Sequence, residues 1–203
     1  SAHRSFNDMK LSIVIPCFNE SANLESLLSR CHEVGQDKDI EFIIVDNGSN
    51  DNTGEILGNL LPLYSSVKSI RLEVNRGYGF GIISGLRQAS GQILSWTHAD
   101  LQTDPMDAVI GLQLFVEYGQ GIFVKGRRYG RPFSDIAFTA GMSIFETVLL
   151  RQRMWDINAQ PTMFTRVFFE SWQDPPDDFS IDLYAYAMAA RQGLVIKRFP
   201  VRF

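Results

Sequence analysis

The stretch Gln92-Ile93-Leu94-Ser95-Trp96-Thr97-His98-Ala99-Asp100-Leu101-Gln102-Thr103-Asp104-Pro105 decides how the chain folds. Its first half, residues 92–97, is a short apolar run with the length and composition of a buried strand. Its end pairs a capping aspartate with a proline suited to the first turn of a helix. In an open α/β sheet, ligands bind in the crevice beyond the carboxyl ends of the strands, and this polar run stands there. Asp100 and Gln102 alternate with apolar Leu101, so an extended backbone points both side-chain oxygens the same way. Two oxygens so placed suit a hard divalent cation. A strand-to-helix turn with ordinary caps accounts for the same residues, so the rest of the chain has to decide.

Working outward, apolar runs of strand character occupy residues 11–17, 41–45, 69–74, 122–125 and 195–199. Continuous runs of this kind suit a sheet covered on both faces. Helical patterns alternate with them. Leu24, Leu27, Leu28 and Cys31 form one apolar stripe. Asn52 with Glu55 resembles a capping pair that opens a helix through Leu61. Asp104-Pro105 opens another, and Gly119 supplies its stop. Residues 134–154 read as a long helix, and 182–192 as a further one ending at Gly193. Alternation over the first ~125 residues predicts a mostly parallel sheet with right-handed crossovers and helices on both faces. With no repeat, low-complexity tract or linker, residues 1–203 read as one domain, its first nine residues flexible or partly vector-derived.

Composition excludes several classes. Of the 203 residues, 45% are hydrophobic and 21% charged, as in ordinary globular domains. A net charge of −4 argues against a general nucleic-acid binder. Cys17 and Cys31 form no CxxC pair, which predicts two buried, reduced thiols and a cytosolic setting rather than a disulfide. No apolar stretch reaches the ~18–20 residues that span a bilayer, and the start lacks the apolar core of a signal peptide.

Four further segments carry polar groups to strand ends or helix starts. Pro16-Cys17-Phe18-Asn19-Glu20-Ser21 follows the first strand. Glu20 reads either as a first-turn acid favoured by the helix dipole or as part of a loop that bonds a nucleobase or ribose. Asp46-Asn47-Gly48-Ser49-Asn50-Asp51-Asn52-Thr53 follows the second strand and is denser in Asp, Asn and Gly than one tight turn needs. Asn75-Arg76-Gly77-Tyr78-Gly79-Phe80-Gly81 opens a helix, where glycines let backbone N–H groups approach an anion. A dinucleotide fingerprint is disfavoured, because that motif belongs to the first strand–helix unit and the spacing departs from GxGxxG. A nicotinamide-dependent dehydrogenase is therefore a distant reading. Lys125-Gly126-Arg127-Arg128-Tyr129-Gly130-Arg131 is the one dense basic cluster, either a solvated face or a phosphate site built from arginine forks.

Together these pieces resemble the catalytic domain of the family 2 glycosyltransferases, the GT-A fold, and within it the polyprenyl-phosphate (dolichyl-phosphate) mannosyltransferase-like members. The matching segments are Ser12 to Pro16 with Asn19-Glu20, Ile44 to Ser49 with Asp51 and Thr53, and Asn75 to Gly79 with Gly85-Leu86. Ala99 to Gln102 with Pro105, Asn158-Ala159-Gln160-Pro161, and Asp178 to Leu183 complete the set. The resemblance implies an inverting transfer of a hexose from a nucleotide diphosphate sugar, such as GDP-mannose or UDP-glucose, to a polyprenyl phosphate. It implies that Pro16, Phe18 and Glu20 line the base and ribose pocket, and that Asp46 contacts the nucleobase or ribose. Asp100 and Gln102 would hold Mg²⁺ or Mn²⁺ against the donor diphosphate, which Arg202 would also touch. Arg128 or Arg131 would meet the acceptor phosphate, with Gln160 in the acceptor loop.

The family's metal motif reads Asp-x-Asp, whereas this chain carries His98 at the first position. His98 is then a metal ligand or a ribose contact, and a neutral imidazole suits Mn²⁺ better than Mg²⁺. Asp182 is a helix cap or the carboxylate that the resemblance sets beside the acceptor. It would be the base if that acceptor were a sugar hydroxyl, which is the reading as a glycan-extending transferase. The loss of the first acid also leaves open a catalytically impaired, nucleotide-binding relative. Residues 136–150, apolar on more than one face, read as a buried helix or as one lying on the membrane surface. The expected setting is cytoplasmic, peripheral on the cytoplasmic face of the membrane.

Overall fold

The computed structural model describes residues 9–129 and 157–202. In chain order the elements are β1 (Leu11–Cys17), α1 (Leu24–Gly35), β2 (Ile40–Asn47), α2 (Thr53–Leu60), a 3-10 turn (Leu61–Leu63), β3 (Val67–Leu72), α3 (Tyr78–Gln88) and β4 (Ile93–Trp96). They continue with α4 (Met106–Tyr118), β5 (Ile122–Tyr129), β6 (Thr162–Thr165), α5 (Arg166–Glu170), α6 (Ile181–Arg191) and β7 (Val195–Arg202). The strands form one seven-stranded sheet in the order β3-β2-β1-β4-β6-β5-β7. All pairings are parallel except those of β6, which runs antiparallel to both β4 and β5.

The apolar runs become strands because both of their faces are covered. Side chains alternate across a strand, so Leu11, Ile13 and Ile15 pack in one core while Val14 packs in the other. Phe42 and Ile44 separate from Ile43 and Val45 in the same way. The first core is closed by Leu24, Leu27, Leu28 and Cys31 of α1, Leu57 of α2, and Ala108, Leu112 and Phe115 of α4. The second is closed by Ile82, Ile83 and Leu86 of α3, Phe168 of α5, and Ile181, Ala185 and Ala189 of α6. Each of these large side chains contributes about 1.5–3 kcal/mol when fully buried, which fixes which face each helix takes.

Several boundaries move. β3 begins at Val67 and ends at Leu72, so Val74 lies beyond it and is exposed. β5 runs on through the basic cluster to Tyr129, and β7 runs on to Arg202. β6 follows Pro161 directly, in a segment that is not among the apolar runs of strand character; pairing on both edges makes it a strand. α2 is not capped by Asn52, whose side chain makes no cap bond. Asp51 Oδ1 accepts from Thr53 N at 2.9 Å instead. Gly119 (φ 78°) and Gly193 (φ 72°) follow α4 and α6 as expected. Cys17 and Cys31 are free and buried. The helix expected over 134–154, including the apolar 136–150 segment, lies outside the described residues, as do residues 1–8.

Candidate functional site

A cleft opens beyond the carboxyl ends of β4, β5 and β7, lined by His98, Asp100, Gln102, Thr103, Arg128, Gln160, Val201 and Arg202. The loop after β4 supplies four of these. Thr97 N donates to Val14 O at 3.0 Å, prolonging the strand pairing by one residue. Thr97 Oγ1 then bonds Thr103 Oγ1 at 2.9 Å, tying together the two ends of the loop. Between them the backbone is turned, not extended. Leu101 has φ 64°, and Asp100 Oδ1 accepts from Gln102 N at 3.1 Å. Asp100 and Gln102 thus share the cleft because the loop closes on itself, not because they alternate along a strand.

His98 stands at the inner side of this loop. Burial holds its imidazole below the ordinary value, so it is neutral at pH 7, and a neutral ring offers one nitrogen lone pair to a metal or hydrogen donor. Its ring lies 5.9 Å from that of Tyr78, on which Phe179 stacks at 5.0 Å. Phe179 is itself 75% exposed. Among the described residues no group of three His, Cys, Asp or Glu side chains is arranged to hold a metal ion. One imidazole, one carboxylate and one amide oxygen nevertheless fit a divalent cation that completes its shell with phosphate oxygens and water.

The opposite wall is basic. Arg128 stands near the end of β5 and donates to Asn158 O at 3.0 Å. Arg202 ends β7, in register with Tyr129. Gln160 is fully buried, and its Nε2 donates to Asp182 Oδ1 at 3.0 Å. Asp182 is therefore behind the cleft lining. It lies inside the first turn of α6 and is not a helix cap: its carboxylate bonds Gln160 and pairs with Lys125 Nζ at 3.4 Å. Arg131 lies outside the described residues.

Lys125 corrects the reading of the basic cluster as one uniform solvated or phosphate-binding run. Its side chain is fully buried, with Nζ 3.1 Å from Ala159 O and 2.8 Å from Thr162 Oγ1. Lys125 and Thr162 escaped the sequence reading. The available signal was a cation directly after Ile122-Phe123-Val124, where strand neighbours are buried.

Pro16 and Asp46, near the carboxyl ends of β1 and β2, and Phe18 and Glu20, in the loop after β1, form a second group and are not among the residues lining that cleft. The loops after these two strands are joined by Asn19 N donating to Ser49 Oγ at 3.0 Å and by Asn50 N donating to Asn19 Oδ1 at 3.0 Å. Glu20 accepts from Asn23 Nδ2 at 2.9 Å. Asp46 is buried, takes Ser49 N on one oxygen and pairs with Arg71 at 2.6 Å through the other. Phe18 is 43% exposed.

The glycine run at the start of α3 is not an anion cradle. A Cβ on Gly79 would collide with Pro176 O and sit 2.7 Å from Asp178 O, and Phe80 N donates to Asp177 O at 3.0 Å. The glycines let the 176–178 backbone cross the helix start, which seats the segment leading to Phe179 and Asp182.

Residues 12–172 match the sequence profile described as glycosyl transferase family 2. A dolichol-phosphate mannosyltransferase of Pyrococcus furiosus is 36% identical over 121 residues, which is 60% of this chain and 34% of that protein. An undecaprenyl-phosphate 4-deoxy-4-formamido-L-arabinose transferase of Proteus mirabilis is 36% identical over 141 residues, 66% of this chain and 42% of that protein. The chain thus spans less than half the length of these relatives. Among solved structures, a mannosyltransferase of Pyrobaculum calidifontis in complex with GDP-Man and Mn²⁺ superposes with a TM-score of 0.71 at 19% identity, covering 95% of this chain and 55% of that one. Glucosyl-3-phosphoglycerate synthase of Mycobacterium tuberculosis, in complex with Mn²⁺, UDP and phosphoglyceric acid, gives 0.71 at 19% identity, with 98% and 73% covered. At that identity the likeness concerns the fold, which is the α/β GT-A type.

Proposed function

The chain belongs to glycosyl transferase family 2, and from that premise we propose that it transfers a hexose, with inversion, from a nucleoside diphosphate sugar to a polyprenyl phosphate. The observation that carries this reading is that His98, Asp100 and Gln102 share one cleft with Arg128 and Arg202. Cation ligands on one wall and guanidinium groups on the other suit a site where two phosphate-bearing substrates meet. The relatives named for dolichol-phosphate and undecaprenyl-phosphate transfer support the lipid acceptor, and the Mn²⁺ and GDP-Man of one structural neighbour support the donor side.

In this reading Pro16, Phe18, Glu20 and Asp46 hold the nucleoside. Asp100, Gln102 and His98 hold Mn²⁺ or Mg²⁺, and Arg202 steadies the donor diphosphate. The cation supplies charge neutralisation for the departing nucleoside diphosphate. Arg128, with Arg131, orients the acceptor phosphate for in-line attack on the anomeric carbon. A phosphate monoester loses its second proton near pH ~6, so the nucleophilic dianion already exists at neutral pH and a general base adds little. The burial of Asp182 against Lys125 and Gln160 favours this acceptor over a sugar hydroxyl, which would need that carboxylate free. The polyprenyl-phosphate acceptors named for the relatives support a reading in which the acceptor is met at the cytoplasmic face of a membrane by peripheral association.

The test is transfer of radiolabelled hexose from GDP-mannose and from UDP-glucose, with Mn²⁺ or Mg²⁺, into lipid-extractable product. Label in a water-soluble glycan instead would favour the chain-extending reading. Nucleotide binding without turnover across donors and acceptors would favour an impaired relative. The imidazole at position 98 predicts a manganese preference that His98→Asp shifts toward magnesium. Equal turnover with the two metals in both proteins would contradict it.

A further inference from the structure

Behind the cleft lies a charged group for which the proposed reaction has no use. Lys125 is fully buried in β5, and burial pushes its ammonium down to about 8 against the pull of Asp182. A buried ion pair adds little to stability compared with apolar side chains of similar volume, so stability alone does not explain the lysine. Its contacts point elsewhere. Lys125 Nζ reaches Ala159 O, Thr162 Oγ1 and Asp182 Oδ1 at 3.1, 2.8 and 3.4 Å. The same Asp182 oxygen accepts from Gln160 Nε2 at 3.0 Å, and Thr162 Oγ1 donates to Gln160 Oε1 at 3.1 Å. The Gln160 amide is thereby gripped at both ends by two groups that Lys125 itself holds. Two residues earlier in the same turn, Asn158 O receives Arg128 at 3.0 Å. Strand β5, strand β6 and helix α6 thus converge on one four-residue turn, 158–161, and Lys125 of β5 touches Ala159 in the turn, Thr162 of β6 and Asp182 of α6.

We propose that Lys125 is a positioning residue: its buried ammonium fixes the 158–161 turn, and through it Gln160 and Arg128, in the arrangement that receives the acceptor phosphate, with Asp182 as its counter-charge rather than a base. This deepens the proposed reaction and rests on that reading of the acceptor. It separates the two roles open to one carboxylate. Asp182 organises the acceptor side from behind, and the phosphate brings its own nucleophile.

Lys125→Met alone leaves Asp182 charged and unpaired, which destabilises the fold, so the test uses compensated variants. Lys125→Met with Asp182→Asn is neutral and keeps an amide to accept from Gln160. Lys125→Met with Asp182→Leu is neutral and removes that acceptor. Gln160→Ala is the reference. Three quantities are read: KM for farnesyl phosphate as a short acceptor, the thermal shift produced by nucleoside diphosphate with Mn²⁺, and amide hydrogen exchange at residues 158–162 of the ligand-free protein. The Leu-containing pair is expected to raise KM at least ~10-fold, matching Gln160→Ala and not adding to it. The Asn-containing pair should recover part of that loss. The donor-induced shift should stay at the parent value throughout, and exchange at 158–162 should quicken in the Leu-containing pair. Folded variants with parent KM and parent exchange would overturn the proposal. So would a KM rise matched by loss of the donor-induced shift, the pattern of a merely structural role. If the unaltered protein transfers to no phosphate acceptor, the reading of the reaction fails, and amide exchange alone still decides: unchanged protection at 158–162 overturns the positioning role.

Discussion

In the proposed reaction Asp100 is the residue on which the donor side turns. It is exposed, its Oδ1 accepts from the nearby Gln102 N, and it lines the cleft together with His98 and Gln102. Asp100→Asn keeps that turn bond and removes the charge a cation needs. It is expected to lower kcat/KM by ~100-fold or more while leaving the melting temperature unchanged; parent-like turnover with Mn²⁺ would contradict the assignment. This part of the site was legible because its members are contiguous in sequence, at the end of a recognisable strand. The geometric reason was not legible, since the left-handed Leu101 and the Thr97–Thr103 bond depend on side chains closing a loop. Lys125 was hidden for a related reason. A cation beside two arginines reads as surface charge, and only the pairing of β5 with β6 and β7 shows that its side chain is enclosed.

Among the elements, strands β1, β2, β4 and β5 were readable from continuous apolar runs, because a doubly covered strand leaves that trace. β6 was not. Thr162-Met163-Phe164-Thr165 has strand propensity but only four residues, and its identity comes from antiparallel partners on both sides. The glycines of α3 show the opposite error, a motif with a familiar ligand meaning used for packing. Gly85 is one of them in function. A Cβ there would collide with Val14 Cγ1 and lie 2.9 Å from Val45 Cγ2, so α3 rests directly on the sheet. Gly85→Ala should cost about 1–3 kcal/mol through forced displacement of the helix, visible as a lowered denaturation midpoint. An unchanged or raised midpoint would mean that α3 stands further off the sheet than described.

At the scale of the whole molecule, the two ends of the sheet are built for different tasks. At the amino end Glu41 joins several strands and the turn before β4, accepting from Ser12 Oγ at 2.6 Å and Ser90 N at 2.5 Å and pairing with Lys68 at 3.0 Å. Burial raises its carboxyl, but the bonds from Ser12, Ser90 and Lys68 outweigh that and hold it at about 2. An unfolded glutamate titrates near its ordinary value of 4.5, so between these values the unfolded chain binds more protons and stability falls as pH drops from ~4.5 toward 2. Glu41→Gln should flatten that part of the acid-unfolding curve; an unaltered curve would remove Glu41 from the stabilising set. At the carboxyl end the polar groups are left open instead, and there the sheet order brings the loop after β4, the ends of β5 and β7 and the turn before β6 to one cleft. The most direct measurement is a crystal soaked with nucleoside diphosphate and Mn²⁺, with the metal located by anomalous scattering. The expected result is a manganese peak beside Asp100 and Gln102, bridged to diphosphate oxygens that also meet Arg202. A peak outside that cleft, or a diphosphate bound with no metal near Asp100, contradicts it.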